Sequence, residues 1–514
     1  MLGGNGSAEI RVWSAGEARY PLVREVRNLF MNRDPNQSLC DARRMRIIED
    51  EKTLEVRLST RVFAAERKGN SIVAARAVDL RANRVVEFRA PLFCDATGDG
   101  WLGYYAGAEY RMGREGRGEF GESFAPEKGD GDTLGSSIMW TSVEGNDAVA
   151  FSAPWAEPHA QGETAVNGEW NWEYGIHRDM IEDGEEIRDR LLLAIYGAFS
   201  RAKKDPKNAR RIINFCPYLL GKRESRRLMG DWVLSEKDIT GHRPFEDAIA
   251  SGSWSIDLHY DTFKPGVDFL TDCEQPHYGR YFIPYRSIYS RNIDNLFMVG
   301  RCFSCTHVGL GSPRVMNTLS QLGVAAGEAA SLCRDKGVKP RAIYADGAYR
   351  ELQKRLGGGF PGVPDETSKG WIIVDDEDDG VTFGKGWNAG HNPNGEQVGH
   401  ISHFAGGDHW RPNKPEGAQV GDATYPVPIR EAGRYAVYSR VPWHQAMKPG
   451  SRTVFKLTGP GFSYRLEGDQ GLMPGRWRKF GEFRLSPGTT LVILAGESHG
   501  TVIADGFAFE RLPD

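Results

Sequence analysis

Apolar residues recur at three- and four-residue spacing through Ile187, Leu191, Leu192, Ile195, Tyr196 and Phe199, which predicts an amphipathic helix over about 185–204. A second helical stretch runs from 313 to about 336, and a shorter one covers 41–50. Strand-like runs occupy 54–58, 61–65, 72–80 and 85–94, with turns at Lys68-Gly69-Asn70 and Arg81-Ala82-Asn83. Residues 295–300 form a short apolar run of the kind that makes a buried parallel strand. Breakers fill 357–365, and beyond them helical periodicity fades. Short alternating runs at 435–441, 453–457, 477–485, 491–494 and 501–509, separated by Gly/Pro turns, predict an antiparallel β-sandwich.

Composition adds limits. The chain has 514 residues, enough for about three domains. Its 65 Lys+Arg against 69 Asp+Glu leave a net charge of −4, which gives no electrostatic reason to expect nucleic acid or a membrane surface as partner. Seven cysteines, scattered and odd in number, do not make a disulfide framework. No apolar run has transmembrane length and no signal peptide is visible, so the expectation is a soluble protein, cytoplasmic by default. Glycine is the outlier: 62 residues, about 12% against a usual level near 7%, which points to loops where backbone approaches something closely.

Three glycine-rich segments stand out. Phe93-Cys94-Asp95-Ala96-Thr97-Gly98-Asp99-Gly100 reads as a strand entering a tight turn. Val299-Gly300-Arg301 begins a loop carrying Gly309 and Gly311, and Ser312 and Pro313 are placed to cap and open the long helix, whose start would favour an anionic ligand. The opening itself, with Gly3, Gly4, Asn5, Gly6 and Ser7, suits either close contact with a cofactor or a loose tail. Inside the long helix, Gly323, Ala326, Gly327 and Ala330 make a small-residue face that calls for close packing.

In order along the chain, these segments resemble the FAD-dependent oxidoreductase family. The resemblance rests on Leu2–Arg11, on the block from Asp95 to Ser123, on Leu134-Gly135-Ser136-Ser137, on Arg223–Arg227, on Trp254–His259 and on Asn295–Gly327. It implies an α/β fold, a Rossmann-like FAD-binding domain with an inserted α+β substrate region. Boundaries would fall at 1–125 and 291–355 for the FAD part, 126–290 for the substrate or cap region, 356–364 for a linker and 365–514 for the sandwich. It further implies Thr97, Gly98 and Asp99 by the FAD pyrophosphate and ribose, Gly300 and Arg301 by the ribityl chain, and Val62 by the adenine. Gly309, Gly311, Ser312 and Val315 would lie by the flavin, with Gly3, Gly4, Asn5 and Ser7 also on the cofactor. The family opens with a strand, a G-x-G-x-x-G turn and a helix, which this sequence lacks. The expectation is an FAD domain without its first βαβ unit, its true start lying upstream, where an export signal could also lie.

The C-terminal region resembles golvesin-type or xanthan-lyase-associated sandwich modules through Gly386-Trp387, Ala432–Tyr435, Trp477 with Gly481, and Val502–Phe507. If exposed, Trp371, Trp387, Trp410, Trp443 and Trp477 would stack on sugar rings; core anchoring is the competing reading.

Among single residues, His307 in the flavin-facing loop is the first candidate base, taking a hydroxyl proton as hydride leaves the adjacent carbon. His259 is the second, and Arg314 and Arg227 would hold an anionic or polyol substrate. Cys302-x-x-Cys305 reads as packing rather than redox chemistry, and His391, His400, His403 and His409 as polar positions rather than a metal site. The expected function is hydride transfer from a hydroxyl- or amine-bearing carbon to FAD, with a small-molecule or carbohydrate substrate. The alternative is an inactive flavoprotein scaffold that binds glycan.

Overall fold

Helix α1 (Ser38–Asp50) precedes an antiparallel meander of β1 (Thr60–Lys68), β2 (Ser71–Asp79) and β3 (Arg84–Phe88). The structure, a computed structural model, describes residues 2–28, 34–260, 265–361, 371–374, 376, 378–390, 408–411, 421–439, 452–469, 477–499, 502–504 and 506–513. The run 54–58 is not a strand. Leu54, Val56 and Leu58 are exposed, and Ser59 at φ 53 interrupts the extension. The run 85–94 divides around Pro91, which has no N–H for a ladder, and its end becomes β4 (Phe93–Asp95).

Short strands β5 (Ser136–Ser137) and β6 (Glu173–Tyr174) follow. Helix α2 (Gly184–Ala202) then buries Ile187, Leu191, Ile195 and Phe199 against Trp140, Trp172 and Phe269. Strand β7 (Gly221–Lys222) pairs with β5, which also pairs with β6. Next come β8 (Ala248–Gly252), β9 (Leu258–Tyr260), β10 (Asp272–Glu274) and β11 (Tyr281–Pro284), pairing β8 with β11 and β9 with β10, both antiparallel. Strand β12 (Leu296–Met298) lies parallel to β4, Leu296 opposite Phe93 and Met298 opposite Asp95. Ile72, Ala75, Leu102, Leu228, Leu296 and Met298 close a core beneath this pair.

The long helix α3 spans Met316–Lys336, starting later than its sequence pattern predicts. Ser312 does not cap it. Its hydroxyl donates to the Trp254 carbonyl at 2.6 Å and lies 2.7 Å from the Tyr281 hydroxyl, so the chain reaches helical geometry only after Val315. Gly323 and Gly327 face open space.

Contacts divide the chain into two units, Met1–Leu356 and Gly357–Asp514. The described residues of the second unit are mostly strand, with one 3-10 turn at Ala495–Glu497. One antiparallel sheet joins β13 (Trp371–Val374), β16 (Gly433–Ser439), β19 (Arg478–Leu485) and β21 (Phe507–Arg511). Another joins β14 (Thr382–Phe383), β15 (Ala423–Pro426), β17 (Arg452–Gly459), β18 (Phe462–Asp469) and β20 (Thr490–Ile493). Tyr435, Val437, Phe507 and Phe509 of the first meet Tyr425, Phe455, Leu457 and Ile493 of the second in one core. Trp387 packs on that core and its indole N–H donates to the Gly421 carbonyl at 2.8 Å, an anchoring position. Trp371 stacks on Tyr438 at 4.5 Å with Trp477 edge-on. His391, His400, His403 and Trp443 lie outside the described residues, as do the side chains of His409 and Trp410.

Candidate active site

The parallel strands end side by side, each at a glycine turn. After β4, the buried Asp95 carboxylate accepts from the Thr97 N–H and hydroxyl at 2.9 and 2.7 Å and from the Gly103 N–H at 2.8 Å, which fixes the turn. Gly98 follows at φ 78, and a Cβ there would lie 2.9 Å from the Arg301 guanidinium. After β12, Gly300 takes φ 75, and the position of a Cβ is open space. A third turn, Gly3–Gly6, is tied in by Asn5 Nδ2 donating to the Lys222 carbonyl at 2.8 Å and by Arg44 donating to the Gly6 carbonyl at 3.0 Å. Within it, Gly4 at φ 52 also faces open space.

These three turns and the first turns of α3 form one side of a cavity of about 810 Å³. Asp99 stands behind that wall. It binds Arg301 at 2.6 Å and Lys222 at 3.1 Å and accepts from the Ser225 hydroxyl at 2.7 Å. Burial opposes its charge, but Arg301 and Lys222 prevail and hold the carboxyl down to about 2.

Ser137 of β5, Gly221 and Lys222 of β7 and His259 of β9 also line the cavity. His259, on β9, directs Nδ1 to the Glu173 carboxylate at 2.5 Å. Its Nε2 faces Arg314 Nη2 at 3.0 Å and Asp257 Oδ1 at 3.2 Å. Arg223 at 3.1 Å and the Thr271 hydroxyl at 2.9 Å also hold Glu173. Burial would raise that carboxyl, yet Arg223 and His259 bring it down to about 2. Asp257 is likewise lowered: Arg314 and His259 outweigh the burial that opposes its charge. Trp170, a 41% exposed residue, stands edge-on to the imidazole at 5.3 Å. Five cations line the cavity, Arg11, Lys222, Arg223, Arg301 and Arg314, against two carboxylates, Glu169 and Asp257.

Of the residues singled out in the sequence, this wall brings together Gly3, Gly4, Asn5, Thr97, Gly98, Gly300, Arg301 and Val315 with His259 and Arg314. Ser7 is buried behind the Gly3–Gly6 turn, and Val62 packs on the core beneath β4. Gly309 serves packing: a Cβ there would sit 2.3 Å from the Leu234 carbonyl. Gly311 accepts from the Asp257 N–H at 3.3 Å.

His307 and Arg227 lie apart from the cavity lining, in a buried network of their own. Arg227 bridges Glu224 at 2.8 Å and Glu115 at 2.9 Å, and His307 Nδ1 meets Glu224 at 2.8 Å. In the same network Glu122 accepts the Thr306 hydroxyl at 2.5 Å and the Glu236 N–H at 2.8 Å, and one of its oxygens has no partner. Burial, together with Glu115 and Glu236, raises its carboxyl. Cys302 and Cys305 are free and buried, and burial pushes both thiols well up.

Sequence reasoning missed Glu173, Asp257 and Arg11. Asp257 had a signal, because a residue two before His259 shares its face of an extended strand. Glu173 had none, since the fold brings it from 86 residues away.

No curated protein matches the chain. Among solved structures, a Paenibacillus xanthan lyase is 20% identical over 28% of this chain and 13% of its own, with a TM-score of 0.24. A Podospora anserina GH26-CBM35 β-(1,4)-mannanase is 15% identical over 28% of each chain, TM-score 0.19. The CBM35 from Cellvibrio japonicus Abf62 is 14% identical over 28% of this chain and 94% of its own, TM-score 0.19. The chain thus spans less than a third of the xanthan lyase and of the mannanase. Residues 24–356, more than half of the chain, match the family model described as FAD dependent oxidoreductase, and the chain belongs to that family.

Proposed function

We propose that the first unit binds FAD in this cavity and removes hydride from a hydroxyl- or amine-bearing carbon of a small or carbohydrate-related molecule. The carrying observation is the joining, in one cavity, of an open glycine cradle with His259, whose Nδ1 is held from behind by Glu173. The residues present fit an anionic cofactor. Gly4 and Gly300 leave room where side chains would stand, the wall is dominated by cations, and Arg301 Nε and Trp254 Nε1 are buried donors without a partner. Gly3, Gly4, Asn5, Thr97, Gly98, Gly300, Arg301 and Val315 would hold the cofactor. A parallel pair of strands ending at adjacent glycine turns supports a Rossmann-like reading, in which ligands lie beyond the carboxyl ends of parallel strands. The FAD-binding part would comprise 1–125 and 291–355 around a substrate region at 126–290, with a carbohydrate-related sandwich from 365.

Hydride acceptance is the chemistry FAD supplies when bound. The chain's own part is proton handling and orientation. With Nδ1–H donated to Glu173, Nε2 is the accepting nitrogen of the imidazole; Arg314 Nη2 donates to it, and a substrate hydroxyl would take the place of that bond to pass its proton to Nε2. The resulting cation would stand between Glu173 and Asp257, two carboxylates already held ionised by arginines. Arg314 and Trp170 bound the space beside Nε2 and set the substrate's approach.

The test is reduction of FAD-loaded protein by a panel of alcohols, amines and sugars without oxygen. At least one class should bleach the flavin, and His259→Gln should slow it by about 100-fold or more. A fully loaded protein that no member reduces, or an unchanged rate in His259→Gln, contradicts the reading.

A further inference from the structure

Two tryptophans line the cavity with much of their surface uncovered, Trp13 at 43% and Trp170 at 41% exposure. Trp13 follows the Gly3–Gly6 turn and so belongs with the glycine wall, the cofactor's side of the proposed site. Trp170 belongs with the imidazole: its ring lies 5.3 Å from that of His259, at 72° to it. The main chain of Trp170 is clamped, its carbonyl accepting from the Ser137 hydroxyl and from Arg223 Nη2 at 3.1 Å. The indole is not. Among the described residues no ring stacks flat on it and no arginine lies over it, whereas Trp371 is covered by Tyr438 at 4.5 Å and 16°. An indole is usually buried or stacked, so one held rigidly and left uncovered beside the candidate base suits a ligand with an apolar face. The rest of that lining is polar, with Ser137, Glu169, Asp257 and Gln275.

We propose that Trp170 is a stacking platform for a pyranose ring, and that the molecule received beside His259 is a cyclic sugar. A pyranose carries a face of C–H bonds and a rim of hydroxyls. Its partly positive C–H bonds meet the negative face of the indole, while its rim meets the polar lining. An open-chain polyol has the hydroxyls but no flat face. An aromatic alcohol has the face but would strip water from the polar lining and give nothing back. This inference rests on the active site proposed above and narrows its substrate class. It concerns binding alone, so it holds or fails separately from flavin chemistry.

Calorimetric titration of the full chain with methyl glucopyranoside, galactopyranoside and mannopyranoside, with sorbitol and with benzyl alcohol tests it, flavin content being recorded for each preparation. At least one pyranoside should bind saturably and at least about tenfold tighter than sorbitol or benzyl alcohol. Trp170→Leu should weaken that pyranoside by about 10- to 100-fold, and Trp170→Phe, which keeps a smaller ring, by an intermediate factor. Trp155→Leu, at an exposed tryptophan outside the cavity lining, should leave it unchanged. Binding should also shift the indole fluorescence of the parent chain, and Trp170→Leu should abolish the shift. Failure of every pyranoside to bind the folded parent chain overturns the assignment. So does equal binding of sorbitol or benzyl alcohol, or an affinity unchanged in Trp170→Leu. A colourless protein that binds a pyranoside through Trp170 would keep this site and sink the flavin reading; a yellow one without the preference would do the reverse.

Discussion

Glu173 orients His259 and is itself held by Arg223 and Thr271, so three partners converge on one buried carboxylate. Glu173→Gln keeps the shape but removes the charge that Arg223 faces. Stability should fall by about 3 kcal/mol or more, measured by urea unfolding near neutral pH. The pH dependence has a definite sign. Asp99 and Glu173 have ordinary values of 3.8 and 4.5 and are held near 2 in the folded chain. Their contribution is therefore complete above about pH 5 and lost as pH falls from there towards 2. Glu122 behaves oppositely. Its carboxyl is raised above 4.5 by burial and by neighbouring acids, so the folded chain loses stability as pH rises past that value. Glu122→Gln should raise the unfolding midpoint at about pH 8 and do little at about pH 4; an equal effect at both would contradict this account of the network.

At the scale of elements, glycines divide by what surrounds them. Gly309 is pressed against the Leu234 carbonyl, whereas Gly300 opens onto the cavity. Gly309→Ala should destabilise by about 1–3 kcal/mol through overpacking and leave ligand affinity to the surviving fold. Gly300→Ala should cost about 1 kcal/mol for its positive φ and weaken cofactor affinity; circular dichroism melts and flavin titration separate the two. Periodicity revealed α2, β1, β2 and, in the second unit, β16, β17, β19, β20 and β21, because each has one apolar face on a core; it passed over β13, β14, β15 and β18. It misplaced the start of α3, where tertiary bonds to Trp254 and Tyr281 claim the capping hydroxyl of Ser312. It also made a strand of 54–58, whose alternating leucines and valine have no core to meet.

Over the whole molecule, glycine turns were the legible part of the site, since a backbone that must approach a ligand shows itself in residue type. The proton-handling part was less so. His307 looked the better base from its place in the flavin-facing loop, yet the fold gives it to the Arg227–Glu224 network and gives His259 to the cavity. Only long-range packing decides between two histidines of that kind. No described helix is long and apolar enough to cross a membrane. The family membership and the cavity together make flavin binding the central claim. Its most direct measurement is the FAD released on denaturing the full chain after equilibration with excess FAD and removal of the unbound fraction. The account predicts stoichiometric flavin, reduced at least about tenfold in affinity by Arg301→Leu. A folded, colourless chain that retains no FAD would contradict it.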